Sequence, residues 1–185
     1  MIAVGWVAGA LAAVCAVSLV SLILLFVAGG PFGQINDVGN ALIGVLSAAL
    51  AFLLVREAGG WAGVAAAVVG AALTVWGSWL VMSGSTGFVL AGFVSAVGFG
   101  FIGLWLAVVA WSPPADDWWG GMLLLVRITA IAMVVGGLVA VPGALMRIDA
   151  FEDVPGWLWL FSLGWLGVYA LYPLVAFALG RRLLG

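Results

Sequence analysis

A chain of 185 residues, 67% of them hydrophobic and 6% charged, has no stretch from which to build a water-soluble module, and its mean hydropathy of +1.38 is that of a protein dissolved in lipid. Five arginines face seven carboxylates with no lysine or histidine, so the net charge of −2 leaves no basic face for nucleic acid. The inventory also argues against an enzyme. Without histidine there is no ordinary general base near neutral pH and no imidazole for haem or zinc, and the single Cys15 cannot run dithiol chemistry, so no cofactor or metal is implied.

In chain order, six apolar runs separated by short polar interruptions predict an all-α polytopic membrane protein, one domain of six transmembrane helices in one bundle. The first, residues 2–28, is too long for a signal-peptide core and lacks a basic flank, so it is expected to stay as a membrane helix. Cys15 within it reads as a small buried hydrophobe. The second span, 38–55, is entered through Asn36 and Asp37, either of which suits a helix N-cap. The third, 61–82, and the fourth, 88–111, are joined by Ser83-Gly84-Ser85-Thr86-Gly87, a turn so short that the two must be antiparallel neighbours. A fifth span, 120–141, is stopped by Pro142-Gly143, and a sixth, 157–180, is expected to kink at Pro173. Continuous rather than alternating apolar runs exclude a β-barrel.

Six crossings put both termini on one side with Arg56, Arg181 and Arg182, leaving Arg147 alone on the other. The arginine bias therefore predicts a cell-membrane protein with both termini in the cytoplasm. Of the eleven tryptophans, Trp6, Trp61, Trp111, Trp118 and Trp119 fall near that interface and Trp157 and Trp159 near the opposite one, as an aromatic belt requires. Trp76, Trp79, Trp105 and Trp165 lie deeper, where an indole N–H wants a partner. They are candidates for lining a cavity, with helix packing as the plainer alternative.

Small residues recur at Gly63, Gly70 and Gly77 on the third span and at Gly92, Ala96 and Gly100 on the fourth, predicting close approach of these helices to each other or to another subunit. Asn36, Asn40, Gly44 and Ser47 share one face of the second span, which should point away from lipid, and Asn36, Asp37 and Asn40 are candidate ligand contacts. Asp37 is also expected to contact Arg147, should the second and fifth spans pack side by side. Arg127 lies about 13 Å into its span if the helix begins at Trp118, but about 7 Å if it begins near Met122. The shallower placement would bring it to lipid phosphate or to Glu57, Asp116 or Asp117, and no buried acid is available for the deeper one.

Six spans in about this length is similar to the plan of the substrate-binding subunits of vitamin importers, with Ala8, Ala12 and Ala16 spaced like a docking stripe, and the tryptophan content resembles that of tryptophan-rich sensory proteins. Neither the vitamin-gripping polar residues nor the five-span pattern of the sensors can be placed, so no family is assigned. Two functions remain open. One is a non-catalytic accessory or structural component packing against itself or a membrane complex; the other is a binder or carrier of a lipid or small lipophilic molecule. Membrane lipids, another membrane subunit or a second copy are the expected partners.

Overall fold

Backbone groups in hydrocarbon must be satisfied within the segment itself, and each of the six runs meets that requirement as a helix. The structure, a computed structural model, describes residues 1–56, 60–112 and 119–185. Five regular helices come first: α1, Ile2–Ala28; α2, Phe32–Leu53; α3, Gly60–Met82; α4, Phe88–Trp111; and α5, Leu123–Leu145, preceded by a 3-10 turn at Gly120–Met122. The sixth span, Gly156–Leu184, is broken into a 3-10 stretch at Gly156–Phe161, a short α-helical turn, a π-helical turn at Leu166–Leu171 and a closing helix α6, Tyr172–Leu184. All six are long and apolar enough to cross a membrane, and the chain is a multi-pass membrane protein.

Each helix packs on the next in sequence, and α6 returns to α1, closing a ring. Helix α4 is buried over most of its surface and also touches α2 across the ring. Glycines set the spacing. A Cβ at Gly70 would lie 2.7 Å from the Gly98 carbonyl oxygen, one at Gly77 would strike Ser95, and one at Gly63 would meet Trp105, so the α3 stripe is used against α4. The α4 stripe divides differently from expectation. Gly98 and Ser95 face α3, whereas Gly100 lies against Gly137 of α5 and Gly92 has only Trp165 near it, because successive glycines four apart drift around a helix with neighbours on several sides.

Three boundaries differ from those read off the sequence. Helix α2 starts at Phe32 rather than 38, following Gly29 and Gly30 at positive φ and then Pro31 as N-cap. Asn36 and Asp37 are therefore interior residues and not caps. Helix α5 runs through Pro142 to Leu145, since the proline sits in the last turn, and the adjacent Gly143 leaves space for the Phe93 ring. In the sixth span Pro173 does not kink a continuous helix. It occupies the first turn of α6, where a missing N–H has no helical partner to lose, and the break lies upstream in the π turn.

Candidate functional site

The earlier start of α2 carries Asn36, Asp37 and Asn40 inward, about 8 Å below the helix start for Asp37. All three are buried, as are Gly44 and Ser47 on the same face. The π turn opposite is wider than an α-helical one, and with α6 it presents Tyr169 and Tyr172 to α2. The Tyr169 hydroxyl donates to Asn40 Oδ1 at 2.6 Å, Asn40 Nδ2 donates to Asn36 Oδ1 at 3.2 Å, and Asn36 Nδ2 donates to the Ser18 carbonyl at 3.0 Å and to the Tyr169 oxygen at 3.4 Å. Two amides and a phenol thus close a loop tying α1, α2 and the sixth span together. One level deeper the Tyr172 hydroxyl lies 2.9 Å from Ser47 Oγ, which also donates to the Ile43 carbonyl at 2.7 Å. On the far side of α2, the Ser78 hydroxyl of α3 reaches the Asp37 carbonyl at 2.7 Å and that of Thr74 at 2.9 Å.

Asp37 stands outside this accounting. It is 7% exposed, and its carboxylate makes no hydrogen bond or ion pair among the described residues. It borders a cavity of about 10 Å³, close to the volume of a single water, shared with Asn36, Asn40, Tyr169, Trp165 and Ser95. Leu22 of α1 and Phe88, Ala91, Gly92 and Phe99 of α4 complete its wall. Above it, Phe88 packs edge-on to Phe26 at 6.3 Å and beside Phe151 at 6.3 Å, and Phe151 stacks on Trp159, so an aromatic group joins α1, α4 and the loop before the sixth span. Asp149 in that loop accepts from the Gly87 and Leu90 amides at 2.7 and 3.2 Å, capping α4.

Of the eight residues singled out from sequence, the structure brings Asn36, Asp37, Asn40 and Trp165 into one pocket and distributes the others. Trp76 and Trp79 are 52% and 58% exposed on the bundle exterior, where they face lipid rather than a cavity. Trp105 is buried against Gly63, and its indole N–H has no hydrogen-bond partner among the described residues; the ring is used for volume. Trp119, expected in the interfacial belt, is only 2% exposed. Arg127 lies one turn into α5, about 6 Å from its start and beyond the 3-10 turn at Gly120–Met122. Its Nε donates to the Ala110 carbonyl at 3.2 Å and its guanidinium lies 5.4 Å from the Trp111 ring, so it satisfies an end carbonyl of α4 and complements that helix's dipole. Glu57, Asp116, Asp117 and Trp118 lie outside the described residues.

The expected Asp37–Arg147 contact does not form. Arg147 is exposed in the loop at φ 55°, and Asp37 is buried because α2 packs on α1 and α3 and begins a turn and a half earlier than its apolar run. Tyr169, Tyr172, Ser18 and Ser95 were missed. One signal existed: the chain's two tyrosines sit three residues apart immediately before Pro173, in the one span with an internal breaker. A separate cavity of about 200 Å³ between α4 and α5 is walled by apolar side chains where Gly100 meets Gly137, and it offers no polar group to orient a ligand. No known protein family, curated protein or solved structure matches this chain.

Proposed function

We propose that this protein is a non-enzymatic binder or carrier of a small lipophilic molecule or lipid, whose polar end enters the pocket between α1, α2, α4 and the sixth span. The observation that carries the reading is Asp37: a carboxylate buried in a membrane bundle without a partner is costly, and such groups mark ligand or ion sites. The accessory-component reading loses support, since the glycine stripes that suggested docking to another subunit are used inside the bundle.

Gly92 gives the test. An added Cβ meets only Trp165, at 3.7 Å, so the single methyl of Gly92→Ala should narrow the pocket without displacing backbone. Native mass spectrometry after gentle extraction should show a small molecule or lipid held by the wild type and at least about tenfold less in Gly92→Ala, at an unchanged melting temperature; a loss near tenfold corresponds to about 1.4 kcal/mol. Equal retention by both proteins, or none by the wild type, refutes the reading.

We further propose that the membrane is the cell membrane and that both termini face the cytoplasm, on the bias of Arg56, Arg181 and Arg182 over Arg147. A cysteine at Ser85, in a Cys15→Ala background, should then react with an impermeant maleimide in intact cells. Labelling only after permeabilisation reverses the orientation.

A further inference from the structure

We propose that the chemical group held in this pocket is a primary ammonium, carried by an aminophospholipid headgroup or by a free alkylamine. The inference rests on the binding reading above and deepens it. Charge comes first: among the described residues Asp37 is the sole carboxyl bordering the cavity, and one positive charge neutralises it, whereas a divalent ion would leave an uncompensated charge in the bundle.

The supply of acceptors decides between monovalent cations. The two Asp37 oxygens make no hydrogen bond among the described residues, and Asn40 Oδ1 and Asn36 Oδ1, which accept from Tyr169 and Asn40, each keep a second lone pair. Those acceptors suffice for the three N–H donors of an ammonium. A hard metal cation wants about six oxygens and is poorly served by a wall that includes Leu22, Ala91 and Gly92 with the rings of Phe88, Phe99 and Trp165. Those rings suit an ammonium, whose charge is attracted to aromatic faces.

Size and depth agree. A cavity of about 10 Å³ accepts an –NH₃⁺ group, close to water in volume, and not a trimethylammonium. Asp37 lies about 8 Å along α2 from the start of that helix, a depth at which a headgroup amine is within reach.

The test is thermal unfolding of the full chain in phosphatidylcholine nanodiscs at pH 7, with n-decylamine, decyltrimethylammonium or sodium chloride added, and in parallel with phosphatidylethanolamine in the bilayer. Wild type should gain several degrees, saturably, from decylamine or from phosphatidylethanolamine and nothing comparable from the other two. A response to phosphatidylethanolamine identifies a lipid headgroup; a response to decylamine alone identifies a free amine. Asp37→Asn should abolish the shift, and Phe88→Leu, which removes an aromatic face from the cavity wall, should raise the midpoint concentration severalfold, which keeps the test valid should Asp37→Asn fail to fold. An equal shift from the trimethylated analogue or from sodium, or a full shift retained in Asp37→Asn, overturns the proposal. If Gly92→Ala removes a retained ligand yet neither amine acts on the wild type, the ammonium assignment falls and the binding reading stands; if Gly92→Ala removes nothing, both fall.

Discussion

Gly136→Ala should destabilise the bundle by about 3 kcal/mol, at the top of the range for an overpacked single methyl group. The added Cβ would collide with the backbone nitrogen and Cα of Gly164 and lie 2.8 Å from the Phe161 carbonyl oxygen. These atoms belong to the main chain of the irregular sixth span and cannot rotate aside as a side chain would. Gly9→Ala is the matched control, because nothing lies within 4 Å of its Cβ, and it should be neutral or stabilise by about 0.5 kcal/mol through helix propensity. Denaturant titration of the two variants in bicelles measures the contrast. Equal midpoints would mean that the sixth span does not sit on α5 as closely as its backbone requires.

That contact explains why one half of the molecule was readable and the other was not. Helices α3 and α4 were legible to within a residue because their ends are marked by Gly-rich turns and their interiors contain nothing polar enough to confuse an apolar run. Helix α2 was cut short for the opposite reason. Counting apolar residues stops at Asn36 and Asp37, and a polar pair inside a span is indistinguishable from a cap until its partners are known. Those partners lie far along the chain, at Tyr169 and Ser18.

The sixth span hid its break in the same way. Pro173 announces a lost hydrogen bond, but whether the chain kinks or shifts into a π turn depends on what packs against it, and here Gly136, Gly164 and Gly167 let α5 approach at backbone distance. Composition did indicate where polar groups would converge, since Asn36, Asn40 and Ser47 share a helical face. It gave no sign that Asp37, one position off that stripe, would turn inward with them, because a pocket between four helices receives residues from a broader arc than one contact seam.

Tyr169→Phe should cost about 1.5 kcal/mol, near the upper end for a polar contact between membrane helices, while Tyr172→Phe should cost about 0.5 kcal/mol. The two substitutions remove the same atom from tyrosines three residues apart, both buried, so differences in area or helix propensity cancel. What differs is the partner left behind. Without the Tyr169 hydroxyl, Asn40 Oδ1 loses its donor at 2.6 Å and one Asn36 Nδ2 contact at 3.4 Å also disappears, leaving an amide oxygen facing the unpaired Asp37 side of the pocket. Without the Tyr172 hydroxyl, Ser47 still donates to the Ile43 carbonyl at 2.7 Å and no donor is orphaned. The Tyr169 ring should stay where it is, edge-on to Phe99 at 6.3 Å, so the loss is polar and not a cavity. A double-mutant cycle with Asn40→Leu supplies the decisive number: coupling of about 1 kcal/mol to Tyr169→Phe and none resolvable to Tyr172→Phe is expected, and equal coupling would dissolve the network as a unit. Because the same amides wall the cavity beside Asp37, Tyr169→Phe should also reduce the melting-temperature gain from decylamine, whereas Tyr172→Phe, whose hydroxyl bonds one level deeper, should leave it intact.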